Sequence, residues 1–107
     1  MRIRVYANER MLGPGKMELL EAIAATGSLS AAAREMGMSY TRAWKLVQEL
    51  NRAAQRPMVA MSRGGHSRGA ATLSPFGEKV LGLYRQMDEA ASKAAGIYGR
   101  QLARLLA

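Results

Sequence analysis

The sequence predicts a single α+β domain, mostly helical, with a short N-terminal strand, three short helices, a two-stranded hairpin and one long C-terminal helix. Three observations carry that prediction. Ser28, Ser39 and Ser74 each stand just ahead of an apolar run with helical spacing, where a serine oxygen can accept from the first unpaired backbone N–H groups. Two short apolar runs, 58–61 and 70–73, flank a basic, glycine-containing segment. From Ser74-Pro75 onward no proline interrupts a helical pattern that runs almost to Ala107. The 107 residues have room for one domain, 1–107, and a fold of this size buries a limited share of its surface, so a second copy would help it.

Element by element, Arg2-Ile3-Arg4-Val5-Tyr6 alternates polar with β-branched or aromatic residues, the pattern of a half-buried strand. Gly13-Pro14-Gly15 breaks the chain, and Leu19, Leu20, Ile23 and Ala24 then mark a first helix that stops at Thr26-Gly27. Ser28 caps a short second helix through Ala31, Ala32, Ala33 and Met36, whose small residues permit close helix approach and which ends at Gly37. Gly37-Met38-Ser39 is a tight connection. Ser39 caps a third helix running to about Ala54, with Ala43, Trp44, Val47 and Leu50 assigned to its core face. Two strands around Arg63-Gly64-Gly65-His66-Ser67-Arg68-Gly69 then form a wing over about 58–73. In the last helix, about 75–105, Val80, Tyr84, Met87, Ala91, Ala94 and Tyr98 advance by alternating four and three, the spacing of an interhelical seam. A capped helix, a glycine turn and a second capped helix describe a helix-turn-helix, about 28–55, and the hairpin completes a winged helix-turn-helix with a long C-terminal dimerisation helix.

Charge narrows the partner. Lys and Arg number 16 against 8 Asp plus Glu, a formal charge of +8 that favours a polyanion. There is no Cys and one His, which leaves no disulfide framework and no cysteine–histidine zinc cluster. No metal and no cofactor are expected, and the 8 scattered Met residues read as packing rather than soft-metal ligands. No run is apolar enough to span a bilayer and the N-terminus lacks the apolar stretch of a signal peptide, so the expectation is a cytoplasmic protein without a membrane partner. His66 pairs with no nucleophile in a catalytic motif, so an enzyme is not expected.

The chemistry of recognition falls on the N-terminal half of the third helix, Ser39 to Lys45. With one face in the core, the 100° step per residue sends Thr41, Arg42, Lys45 and Gln48 outward. Arg42 can make two bonds to the O6 and N7 of guanine, Thr41 can meet a base edge or phosphate, and Lys45 suits a phosphate oxygen. Tyr40 sits at the edge of the core face, where its hydroxyl can contact phosphate while its ring is partly covered. Ser28 and Ser30, with the backbone N–H groups opening the second helix, form a phosphate cradle. No carboxylate occurs between Glu49 and Glu78, whereas Arg52, Arg56, Arg63 and Arg68 do, so the wing is strongly positive. Arg63 and Arg68 can reach phosphates or a minor groove, with His66 and Ser67 as neutral donors.

Gly27-Ser28-Leu29-Ser30-Ala31-Ala32-Ala33 resembles the start of the second helix in LysR-type and ModE-type DNA-binding domains. Met38-Ser39-Tyr40-Thr41-Arg42-Ala43-Trp44, followed by Glu49-Leu50-Asn51, resembles the ModE recognition helix more narrowly. The likeness continues through Val59, Arg63-Gly64-Gly65, Ala71-Thr72-Leu73-Ser74, Gly77 and Leu83-Tyr84, from Ala22 to about Ala95. It implies a cytoplasmic transcription regulator that binds double-stranded DNA as a homodimer on a palindromic operator. Full-length ModE regulators continue into β-barrel domains that bind molybdate or tungstate, and this chain ends at Ala107, so a regulator without its own oxyanion-sensing domain is expected; the residues name no small-molecule effector. Two other readings stand beside it: a non-specific architectural nucleic-acid binder, and a winged helix that binds protein. The ratio of specific to non-specific affinity separates them, since a regulator favours its site by at least roughly a thousand.

Overall fold

Pro14 opens the first helix rather than breaking the chain ahead of it: proline at the first helical position lacks only an N–H that would be unpaired there, and Met17 N–H already donates to Gly13 O at 3.1 Å. The computed structural model describes residues 5–7, 10–54, 56–62 and 69–107. In chain order the elements are β1 (Val5–Ala7), β2 (Arg10–Leu12), α1 (Pro14–Thr26), α2 (Leu29–Glu35), α3 (Tyr40–Arg52), β3 (Val59–Met61), β4 (Ala71–Leu73) and α4 (Pro75–Leu106). The expected first strand is seen in its second half. It pairs antiparallel with β2, Tyr6 opposite Met11, a partner that the sequence pattern did not announce. Residues 2–4 lie outside the described residues. The third helix ends at Arg52, two residues earlier than expected.

All three serine caps form. Ala31 N–H donates to Ser28 Oγ at 3.1 Å, Arg42 N–H to Ser39 Oγ at 3.1 Å, and Gly77 N–H to Ser74 Oγ at 2.9 Å. Each satisfies a donor that the helix cannot, which fixes where α2, α3 and α4 begin. Between α2 and α3 the chain turns through Gly37 at φ +65°, a conformation that a side chain would strain.

The core gathers Met17, Leu19, Leu20 and Ile23 of α1, Leu29, Ala32 and Ala33 of α2, and Ala43, Val47 and Leu50 of α3. Met58, Val59 and Ala71 close it from the hairpin and Leu81 from α4. Burying one Val, Leu, Ile or Met side chain contributes about 1.5–3 kcal/mol, so this cluster is the main source of stability. Ala24, assigned to the first helix's apolar set, is exposed; Met17 and Ala22 take that role.

The hairpin pairs β3 with β4 in the register Val59–Leu73, Ala60–Thr72, Met61–Ala71. Two ties hold it to the helices. Leu29 N–H donates to Gly69 O and Ala71 N–H to Gly27 O, both at 3.0 Å, so the segment before α2 adds a bridge between Ser28 and Ala70 to the hairpin's edge. At the other edge the Asn51 amide, from the end of α3, accepts from Met58 N–H at 2.8 Å and Val59 N–H at 3.0 Å and donates to Val59 O at 3.1 Å.

α4 starts tight against this hairpin, since a Cβ at Gly77 would overlap the Met58 carbonyl. Arg85 then donates to Glu21 of α1 at 3.1 Å. Beyond that point the helix leaves the core. The extents are 60 × 29 × 21 Å and the radius of gyration is 16.4 Å, against about 13 Å for a compact chain of this length.

Candidate nucleic-acid interface

Ala43, Val47 and Leu50 are fully buried and Leu46 is half-buried against them, which sets the inner face of α3. The 100° step then places Thr41, Lys45 and Arg52 on the outer face, with Arg42 and Glu49 along one edge and Tyr40 and Trp44 along the other. Thr41, Arg42, Lys45 and Arg52 are all exposed, and Gln48 between them is half-buried. Glu49 is held by Lys16 of α1, Nζ to Oε2 at 3.3 Å, which offsets the acid's charge beside the basic residues. The helix therefore offers a positive, hydrogen-bonding surface above a locked core face.

Trp44 corrects the sequence reading. It is 46% exposed and lies outside the core, whereas its phase with Val47 and Leu50 predicts packing. The inner face is centred on Ala43 and Leu50, and Leu46, not Trp44, completes it; one residue past Ala43 turns the indole to the edge. Tyr40, one turn earlier, is 44% exposed, so its ring is only partly covered, as expected.

The phosphate cradle at α2 is also narrower than expected. Of the four donors that a helix start leaves unpaired, Ser28 N–H donates to Thr26 Oγ1 at 3.3 Å, Leu29 N–H to Gly69 O and Ala31 N–H to Ser28 Oγ. These three are committed inside the chain, and the half-buried Ser28 works as a cap. Ser30 is exposed and remains placed to meet a phosphate. Ser39 is exposed while capping α3.

Arg63, His66, Ser67 and Arg68 lie outside the described residues, but the strands that carry them are set by the two ties above. Arg56 is exposed and lays its guanidinium 5.7 Å from the centre of the Phe76 ring. Along α4 the expected seam divides. Val80 and Tyr84 pack against the domain's own core, Ala91 is half-buried, and Met87, Ala94 and Tyr98 are exposed. The exposed apolar stripe begins instead at Leu83 and continues through Met87, Tyr98, Leu102 and Leu105. Among the described residues no group of acidic or histidine side chains is arranged to hold a metal ion, and no helix is long and apolar enough to cross a membrane.

Periodicity does not give the exposure of Trp44, and the Glu49-Leu50-Asn51 motif marks Asn51 without giving its bonds to the hairpin. Both depend on where the hairpin and α2 press on α3.

Two helices meeting at a capped glycine turn, with an antiparallel hairpin pinned to the end of the second, define a winged helix-turn-helix domain. The family of bacterial regulatory helix-turn-helix proteins of the lysR type matches residues 15–78, and the chain belongs to it. It is 40% identical over 91 residues to molybdenum-pterin-binding protein MopB of Rhodobacter capsulatus, covering 85% of this chain and 34% of that protein. It is 33% identical over 81 residues to the DNA-binding transcriptional dual regulator ModE of Escherichia coli K12, covering 76% of this chain and 31% of that protein. The chain thus spans about a third of the length of these curated relatives. Among solved structures, the CbnR_DBD–DNA complex shares the fold at TM-score 0.63 and 21% identity, covering 83% of this chain and 95% of that one. Full-length LysG from Corynebacterium glutamicum with bound effector Arg shares it at TM-score 0.68 and 19% identity, covering 87% of this chain and 30% of that one.

Proposed function

We propose that this chain is a cytoplasmic, sequence-specific DNA-binding transcriptional regulator of the ModE-like kind, acting as a homodimer on a palindromic operator. The observation that carries the reading is α3 itself. Its capped N-terminal half presents Thr41, Arg42 and Lys45 to solvent, while Ala43 and Val47 lock the helix from beneath. In a major groove Arg42 supplies the bidentate contact to guanine, Thr41 a base-edge or phosphate contact, and Lys45, Ser30 and Ser39 phosphate contacts that set the register. The wing residues Arg63, His66, Ser67 and Arg68 extend the contact along the backbone.

Dimerisation is supported by α4. Leu83, Met87, Ala91, Ala94, Tyr98, Leu102 and Leu105 advance by four, four and three, an eleven-residue repeat that keeps one stripe along a nearly straight helix. Tyr98 is 69% and Leu105 82% exposed in one chain, and a second α4 across a two-fold axis would cover both. Changing Leu102 and Leu105 together to Glu should halve the mass seen by light scattering without unfolding the domain; an unchanged mass would place the dimer contact elsewhere.

The net charge of +8 favours the second reading, a general nucleic-acid binder. Selection of genomic fragments by the protein, followed by anisotropy titration at physiological salt, tests both. A regulator enriches a palindrome and prefers it by at least about a thousandfold. On that site Arg42→Ala should cost about 1–3 kcal/mol, and much less on random duplex. Equal losses on both duplexes would favour the general binder.

A further inference from the structure

We propose that Trp44, supported by Tyr40 one turn before it, is a base-contacting residue that takes the 5-methyl group of thymine in the major groove. The inference rests on reading α3 as the recognition helix and assigns that helix a second specificity element beside Arg42. An indole with nearly half its surface in water, next to an equally exposed phenol ring, is an apolar feature that the fold itself does not cover. Both rings stand on the N-terminal half of α3, the part of such a helix that reaches base edges.

The neighbours identify the occupant. Thr41 and Lys45 lie beside the two rings on the outer face and Arg42 lies across it, all exposed, and the acid Glu49 is tied back to Lys16. An apolar edge framed by cationic and hydroxyl side chains complements a groove walled by phosphates with an apolar group on its floor. In duplex DNA the thymine 5-methyl is that group, and no other base presents one in the major groove. Trp44 thus adds selection of an A·T pair to the guanine contact of Arg42, from the opposite edge of the helix.

The test uses the full chain and its selected duplex, with binding followed by anisotropy of a dye on the DNA. Trp44 is the only tryptophan, so its emission reports its surroundings without a label. Saturating DNA should shift and quench that emission. Each thymine is then replaced by deoxyuridine, which removes the methyl and leaves the protein untouched. One position per half-site should weaken wild-type binding about fourfold, the fold-change of burying one methyl group. Trp44→Ala should bind more weakly and lose sensitivity at that position alone, a coupling that separates contact from general damage. Tight binding with unchanged emission overturns the inference and leaves the regulator reading standing. Quenching with no deoxyuridine-sensitive position, or with the same sensitivity in Trp44→Ala, overturns the thymine assignment. Failure to select any sequence removes the regulator reading and this inference with it.

Discussion

Replacing Asn51 by alanine removes three hydrogen bonds at once and releases the hairpin from the recognition helix. The amide accepts from Met58 N–H and Val59 N–H and donates to Val59 O, at 2.8, 3.0 and 3.1 Å. A neutral bond of this kind contributes about 0.5–1.5 kcal/mol net, so the three together span about 1.5–4.5 kcal/mol. Met58 and Val59 are 1% and 3% exposed, which keeps water from replacing the lost partner fully and moves the expectation to about 2–4 kcal/mol. That is a large part of the ~5–15 kcal/mol that holds a typical domain together. Urea unfolding followed by circular dichroism, at one fixed protein concentration, measures it: with a slope of about 2 kcal/mol per molar, the midpoint should fall by about 1–2 M. Asn51→Asp keeps the oxygen that accepts from both N–H groups but sets a carboxylate oxygen near the Val59 carbonyl, and should fall between wild type and alanine. An alanine variant within about 0.5 kcal/mol of wild type, the range of an ordinary surface change, would show that the hairpin is held by its other edge alone.

Two further substitutions test the packing. Gly77→Ala puts a methyl into the Met58 carbonyl where α4 meets β3, and the forced shift should cost about 1–3 kcal/mol by thermal unfolding; a neutral result would mean that the α4–hairpin contact is loose. Leu50→Ala and Trp44→Ala separate two large apolar residues that the sequence reading puts on one face of α3 and the structure does not. The first should cost about 2–5 kcal/mol as a fully buried leucine and the second no more than about 1 kcal/mol, and comparable losses would put Trp44 back in the core.

What was legible in the sequence was local. Each of the three serines bonds the N–H three residues ahead, so the chemistry that starts α2, α3 and α4 lies inside a four-residue window and needs no knowledge of the rest of the chain. The hairpin was legible for a similar reason, as two short runs around a glycine-containing loop. Less was visible wherever a partner comes from far along the chain. Gly27 and Leu29 pair with Ala71 and Gly69 across some forty residues, and those bonds consume a donor that a sequence reader would assign to phosphate. Asn51 stands in the motif that carries the family resemblance, but its bonds to Met58 and Val59 emerge only when the hairpin folds back onto it.

Trp44 departs from the sequence reading for a subtler reason, which concerns what exposure means in a recognition domain. Periodicity places a residue on a helix to within one 100° step, and Trp44 stands one step from Ala43. Hydrophobicity resolves that step inward, a sound rule where every large apolar residue folds into the core. In α4 the same rule places Val80 and Tyr84 on the seam; both are partly buried against the domain's own core, and the exposed apolar surface starts at Leu83. In both helices hydrophobicity alone does not say whether a side chain is covered by its own chain or left bare. Leucines fall on both sides of that line: Leu19, Leu20, Leu29 and Leu50 are fully buried where the three short helices pack together, whereas Leu102 and Leu105 stand on the part of α4 that has left the core and Trp44 on the edge of α3. Large apolar side chains at solvent-facing helical positions are therefore the places where the fold is unfinished by itself, and in this chain they fall on the two surfaces that the proposed function engages, one against DNA and one against a second copy.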